Sequence, residues 1–182
     1  MGLKMFVKVC GITEKIFIDW AIELGFDAVG VVFYPKSKRY IGLDKGLKLA
    51  EYAKGLIKTV AVGITFNEVK YAKDHFDYFQ ISEYVLDDKL IYSIEDLPNE
   101  KANLYILDRS KGSGLFSPIP EWFKAFKDNT IIAGGLTPDN VADVITMYKP
   151  FGVDVSSGVE ISSGIKSKEL MAKFIKNVRN SI

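Results

Sequence analysis

The sequence predicts an α/β fold in which parallel strands alternate with crossover helices. Three observations carry this. Eight short apolar runs recur along the 182 residues. Most are separated by segments whose apolar residues repeat at helical spacing. Glycine, proline or a capping hydroxyl marks most junctions. Strands that alternate with helices pair in parallel, because each crossover returns the chain to the same end of the sheet.

Met5 to Cys10 is apolar and β-branched and is closed by Gly11, so it reads as the first strand. Thr13 is positioned to cap a helix through Phe17, Trp20, Ala21 and Leu24, which Gly25 ends. Ala28 to Phe33 is almost wholly apolar, as in a strand buried on both faces. The basic loop Tyr34 to Gly42 leads to a helix from Leu43 to Lys54, with Leu47, Ala50 and Ala53 facing in and Gly55 after it. Ile57 to Gly63 is a third strand, Asn67 to Asp74 a short helix, and Asp77 to Ile81 a fourth strand.

The middle is sparser. Glu83 to Asp88 has room for one helical turn, and Leu90 to Ile94 for a fifth strand before a loop with Pro98. Asn103 to Leu107 is a sixth strand ending at Asp108, followed by a flexible loop at Gly112-Ser113-Gly114. Pro120 to Phe126 is a short helix with proline in its first turn. Thr130 to Ala133 is a seventh strand ending in Gly134-Gly135, and Thr137 is expected to cap a helix to about Met147. Phe151 to Val155 is an eighth strand ending in Ser156-Ser157-Gly158. Ser167 caps a last helix to about Arg179, with Leu170, Phe174 and Val178 on one face.

Eight such units fit a closed barrel or a doubly wound open sheet. Spread over eight units, 182 residues leave about 23 each, enough for a strand of about five and a helix of about ten. That is below the usual barrel length of about 200 or more, so the fourth and fifth units are expected to be shortened. With no linker or low-complexity tract, residues 1–182 read as one domain.

Composition removes several function classes. Twenty-four basic and 23 acidic residues give a formal net charge of +1, which supplies no general attraction to nucleic acid or an anionic membrane. Any anion must be held at a local site. The one cysteine cannot close an internal disulfide, and no secretory leader, myristoylation pattern or spanning apolar run is seen, so a cytoplasmic protein is expected.

In a closed barrel the chemistry sits at the carboxyl ends of the strands. The loops Gly134-Gly135 and Ser156-Ser157-Gly158 then lie on adjacent final strands, where convergent backbone N–H groups form the recurrent phosphate site of this architecture. Cys10 reads either as a small buried hydrophobe or as a thiolate base whose pKa nearby positive charge lowers. Asp108 closes an apolar strand and is either a partner for Arg109 or Lys111 or a working acid. Arg39 is either part of a solvated basic loop or a two-pronged holder of a carboxylate. His75 reads as a surface residue, and Trp20 and Trp122 as core or rim.

Four stretches together resemble the phosphoribosylanthranilate isomerase family: Lys8-Val9-Cys10-Gly11-Ile12-Thr13, Phe33-Tyr34-Pro35-Lys36-Ser37-Lys38-Arg39-Tyr40-Ile41, Gly134-Gly135-Leu136-Thr137-Pro138-Asp139-Asn140-Val141 and Val153-Asp154-Val155-Ser156-Ser157-Gly158-Val159-Glu160. They run from one end of the chain to the other in the family's order. The resemblance implies a single (β/α)8 (TIM) barrel with no metal and no organic cofactor. It implies an Amadori rearrangement of N-(5-phosphoribosyl)anthranilate to 1-(2-carboxyphenylamino)-1-deoxyribulose 5-phosphate. It assigns Cys10 as general base, Asp108 as general acid, Arg39 as holder of the anthranilate carboxylate and Asp154 as a carboxylate near the sugar hydroxyls. Gly134, Gly135, Ser156, Ser157 and Gly158 fall in the phosphate loops. The implied partner is a phosphorylated small molecule, handled by a monomer or homodimer with no nucleic-acid or membrane partner.

The chain departs from the family after the fourth strand, where the usual Gln-Leu-His-Gly reads Gln80-Ile81-Ser82-Glu83. That departure keeps open a phosphosugar-binding barrel with reduced or lost activity, although binding alone needs neither Cys10 nor Asp108. The related phosphoribosyl aldose–ketose isomerase of histidine biosynthesis uses carboxylates as both acid and base, and Cys10 argues against it.

Overall fold

The computed structural model describes residues 5–110 and 114–182. Eight strands close a parallel barrel: β1 (Phe6–Cys10), β2 (Ala28–Val32), β3 (Lys58–Val62), β4 (Tyr78–Ile81), β5 (Leu90–Ile94), β6 (Leu104–Asp108), β7 (Thr130–Ala133) and β8 (Gly152–Val155). The seam is the β1–β8 pairing, with Lys8 opposite Asp154 and Val9 opposite Val155. The open-sheet alternative is thereby removed.

Side chains alternate between the two faces of each strand, which settles what the barrel encloses. Val7 and Val9 of β1, Tyr105 and Leu107 of β6, and Val153 and Val155 of β8 join the outer core, where the helices pack. Their neighbours Lys8 and Cys10, Ile106 and Asp108, and Asp154 therefore face inward. The interior is filled by a small apolar cluster of Ala28, Val60, Ile91, Ile106, Ile131 and Ala133. A barrel so filled is a packed core, and its polar residues gather at one wall and at the carboxyl-end mouth.

The outer layer is uneven. Full helices follow β1, β2, β7 and β8: α1 (Lys15–Leu24), α2 (Leu43–Ala53), then, after the short α3 (Phe66–Val69) behind β3, α4 (Val141–Tyr148) and α5 (Lys168–Arg179). Gly25 ends α1 in the left-handed conformation, as its position predicts. Ser167 caps α5 by accepting from the Leu170 amide at 3.3 Å. Two other expected caps fail. Thr13 donates instead to the Gly164 carbonyl at 2.9 Å, and α1 starts after Glu14. Thr137 is replaced as cap by Asn140, because the chain makes a turn over residues 138–140 before α4 begins.

The fourth and fifth units are shortened further than expected. Among the described residues no helix lies between β4 and β5 or between β5 and β6, so the turn expected at Glu83 to Asp88 is absent. Asn67 to Asp74 forms only α3 and a 3-10 turn at Lys73–His75, and the segment after Pro120 is a 3-10 turn, Glu121–Ala125. Aromatic rings cover this side instead. Tyr84, Tyr92, Tyr105, Phe126 and Trp122 form a row with successive centroids 5.7–6.3 Å apart. The Tyr105 hydroxyl donates to the Glu100 carbonyl and accepts from the Ala102 amide, fastening the loop before β6. Ring pairs bury large area per residue, so a few replace a helix as cover.

A second, two-stranded sheet stands beyond β8: β9 (Glu160–Ser162) and β10 (Ile165–Lys166) form an antiparallel hairpin before α5. It places Glu160 and Lys166 over the barrel mouth.

Candidate active site

Cys10 is the last residue of β1; it faces inward and the residue is 9% exposed. Two lysines flank it. Lys8, two residues back on the same inner face, has no exposed surface and donates to Asp154 Oδ1 at 2.9 Å. Lys166 reaches in from β10 and is 2% exposed. Burial pushes the Cys10 thiol up, and the charges of Lys8 and Lys166 offset this only in part. The sequence-based expectation of a lowered thiol is therefore reversed: desolvation outweighs two ammonium groups, each already paired with a carboxylate, Lys8 with Asp154 and Lys166 with Glu160. Burial would lower Lys8, but Asp154 and Cys10 hold its ammonium above the ordinary value.

Asp154 sits in the same interior. Burial pushes its carboxyl up and the charge of Asp108 adds to this, while Lys8 opposes it. Both carboxylates face the barrel interior, from β6 and β8. Asp108 ends β6 facing inward, and its Oδ1 accepts from the Ser110 amide at 2.9 Å and the Ser110 hydroxyl at 2.7 Å. Arg109 turns away, donating to the Pro118 carbonyl at 2.6 Å, so it is not the partner of Asp108. Lys111, Gly112 and Ser113 lie outside the described residues.

The two glycine loops pack against this group and against each other. Gly134 and Gly135 both have positive φ, 82° and 72°, so the chain turns sharply at the end of β7. A Cβ on Gly134 would stand 2.3 Å from Asp108 Oδ1, which brings this loop directly against the carboxylate. A Cβ on Gly158 would stand 2.0 Å from the Leu136 carbonyl oxygen, so the β8 loop rides on the β7 loop. Asn140 pins the arrangement, accepting from the Thr137 amide at 2.8 Å and donating to the Gly135 carbonyl at 2.9 Å. Ser156 Oγ donates to the Cys10 carbonyl at 3.1 Å, tying β8 to β1, and the exposed Ser157 opens the turn Ser157–Val159.

Arg39 enters from the β2 loop. Its side chain lies against Gly11, where a Cβ would be 2.3 Å from Arg39 Cδ. Its Nε and Nη2 donate to the two oxygens of Glu160 at 2.8 and 2.7 Å. Lys166 donates to the same carboxylate at 2.7 Å. Burial would raise Glu160, but the Arg39 hydrogen bond and the Lys166 charge hold it below the ordinary value.

All nine site residues expected from sequence thus stand around one mouth. Sequence reasoning missed Lys8, Ser110, Asn140, Glu160 and Lys166. Lys8 carried a signal, since a lysine two residues before Cys10 shares its face of the strand. Ser110 carried the two-residue spacing at which a side-chain carboxylate accepts from a following amide. Glu160 and Lys166 carried none, because their roles depend on a hairpin. His75 is exposed, and Trp20 and Trp122 are half-buried against the core, as expected. Among the described residues no cluster of His, Cys, Asp and Glu is arranged to hold a metal ion.

Such a mouth can do acid–base chemistry on a small anion: a thiol and a carboxyl face inward at the carboxyl ends of β1 and β6, with the two glycine loops and a guanidinium at the same end of the barrel. Comparison with known proteins agrees. The family model for N-(5'-phosphoribosyl)anthranilate (PRA) isomerase matches residues 86–177. The N-(5'-phosphoribosyl)anthranilate isomerase of Legionella pneumophila (strain Lens) is 32% identical over 199 residues, covering 94% of this chain and 96% of that protein. Its counterpart in Thermotoga petrophila is 33% identical over 205 residues, covering 95% and 98%. Among solved structures, TrpF from Jonesia denitrificans superposes with a TM-score of 0.78 at 29% identity, covering 98% of each chain. A phosphoribosyl anthranilate isomerase in complex with reduced 1-(o-carboxyphenylamino)-1-deoxyribulose 5-phosphate gives 0.76 at 27%, covering 97% of this chain and 100% of that one.

Proposed function

The chain belongs to the phosphoribosylanthranilate isomerase family, and from that membership we propose how its own residues divide the work. The protein is an isomerase of tryptophan biosynthesis that converts N-(5-phosphoribosyl)anthranilate to 1-(2-carboxyphenylamino)-1-deoxyribulose 5-phosphate. Asp108 protonates the furanose ring oxygen; the C1–O bond opens and the anilino nitrogen becomes an iminium. The Cys10 thiolate removes the C2 proton, and the electron pair neutralises the iminium. The enolamine then tautomerises to the ketone, so no atom is gained or lost. A base and an acid contribute about 10²–10⁴-fold each in steps of this kind.

The amides of the Gly134-Gly135 and Ser156-Ser157-Gly158 loops hold the phosphate, Arg39 holds the anthranilate carboxylate, and Asp154 faces the sugar hydroxyls, kept in place by Lys8. The observation that carries this reading is the inward placement of Cys10 and Asp108 at the carboxyl ends of strands in one barrel, with the Gly134 loop against Asp108. The barrel spanning residues 1–182 is the catalytic unit, cytoplasmic, acting on a phosphorylated small molecule without nucleic-acid or membrane partners. It works as a monomer or homodimer. Monomers generated from the dimeric phosphoribosylanthranilate isomerase of Thermotoga maritima are among the structures it resembles, and among the described residues no helix is long and apolar enough to cross a membrane.

The direct test is loss of the substrate's fluorescence on adding purified protein. Rescue of a tryptophan-requiring strain lacking this step is the companion. Fluorescence that stays constant at catalytic and at stoichiometric protein leaves the phosphosugar-binding reading.

A further inference from the structure

Arg39 is already paired, and that pairing has a charge consequence. Glu160 takes the Nε–Nη2 edge of the guanidinium, through bonds of 2.8 and 2.7 Å. A guanidinium has five N–H donors, so the Nη1–Nη2 edge is the fork that remains to receive a ligand carboxylate. Arg39 and Glu160 together carry no net charge. Lys166, on the same carboxylate at 2.7 Å and with no exposed side-chain surface, brings the trio to +1. Burying an ammonium costs several kcal/mol unless its bonds offset the lost hydration. Burial pulls the Lys166 ammonium below its ordinary value; Glu160 offsets part of this, and the Ser156 carbonyl at 3.1 Å and hydroxyl at 3.4 Å complete its bonds. No step of the isomerisation uses it.

We propose that Lys166 is a positioning residue that supplies the net positive charge by which the Arg39 subsite recognises the anthranilate carboxylate, while Glu160 sets the direction of the fork. The inference rests on reading Arg39 as the carboxylate anchor. In the working state, with Asp108 carrying its proton, Lys8, Arg39 and Lys166 balance the Cys10 thiolate, Asp154 and Glu160. Without Lys166 an anionic substrate would meet a site with a surplus negative charge.

The test compares two probes by fluorescence titration: the reduced product analogue, and its phenylamino counterpart lacking only the carboxylate. The unaltered protein is expected to prefer the carboxylated probe by tenfold or more, about 1.4 kcal/mol. Lys166→Met is expected to lose that preference while binding the carboxylate-free probe within about twofold, and Lys166→Arg to restore most of it. The double variant Glu160→Gln/Lys166→Met leaves Arg39 unopposed at +1, so it is expected to regain preference over Lys166→Met alone; it also serves where the single variant folds poorly. Equal weakening of both probes, or preference retained in Lys166→Met, overturns the proposal. No preference in the unaltered protein overturns the Arg39 assignment itself, even where the substrate is still turned over.

Discussion

Lys8 Nζ donates to Asp154 Oδ1 at 2.9 Å across the β1–β8 seam, with side-chain exposures of 0% and 9%. Removing one partner of a buried pair leaves an uncompensated charge and typically costs about 3–5 kcal/mol. Lys8→Met is therefore expected to lower the denaturation midpoint sharply. The paired replacement Lys8→Met/Asp154→Leu should recover much of the stability and none of the turnover. Equilibrium unfolding in urea checks the first statement, and the fluorescence assay the second.

The same lysine bears on the pH profile. The Cys10 thiol lies above its ordinary value because burial outweighs Lys8 and Lys166. The thiolate is the working form, so kcat/KM is expected to rise with pH through neutrality into the alkaline range. Replacing Lys8 removes a charge that pulls the thiol down, which moves this limb to higher pH. A limb below the ordinary thiol range near 8.5 would take the role of base away from Cys10.

Cys10→Ala and Asp108→Ala are each expected to lower kcat by about 10²–10⁴-fold while the reduced product analogue binds within a few-fold. Arg39→Ala should act the other way, raising KM by roughly tenfold or more through loss of a charged hydrogen bond, with kcat less affected. Steady-state kinetics on the three variants distinguish these patterns.

Glycine-to-alanine changes test the packing. In an open helix Gly46→Ala would stabilise by about 1 kcal/mol. Here its Cβ would meet the Phe33 ring at 2.5 Å, and that ring is held edge-on to Phe76 at 5.7 Å. Overpacking costs about 1–3 kcal/mol, so a net fall in melting temperature is expected. Gly158→Ala strikes backbone, at 2.0 Å from the Leu136 carbonyl oxygen, and should also weaken inorganic phosphate as a competitive inhibitor. Calorimetry and inhibition kinetics read the two.

Acid should act through Glu160 and Asp77. Burial pushes both carboxyls up, but Arg39 and Lys166 at Glu160, and Lys58 with Thr59 at Asp77, hold them below their ordinary values. A depressed folded-state value means the unfolded chain takes up the proton first as pH falls. Their stabilisation is present above about pH 4 and is lost as pH drops through the folded values. Asp77→Asn should flatten the acid arm of a stability–pH curve.

The strands were legible because a doubly buried parallel strand is a continuous apolar run. Leu90–Ile94 and Thr130–Ala133 match the expected bounds residue for residue. Caps were less legible: a tertiary partner, the Gly164 carbonyl, claimed the Thr13 hydroxyl, and the Thr137 hydroxyl accepts from the Asp139 amide in the turn that precedes α4. Ser82-Glu83, where the family usually has His-Gly, gained a structural use that strand patterns do not carry. Glu83 accepts from the Phe66 amide at 2.5 Å and so closes the start of α3 from the neighbouring unit. The catalytic candidates were visible at strand ends, whereas the Glu160–Lys166 support came from a hairpin invisible to periodicity.

The ring row from Tyr84 to Trp122 shows where a barrel tolerates economy. Helices were dispensed with on the sector bearing β4 and β5, away from the loops proposed to grip the phosphate, and kept where those loops must hold their shape. An engineer seeking a smaller enzyme, or a site to splice in a foreign segment, would cut on the aromatic flank and leave the β7–β8–β1 arc alone.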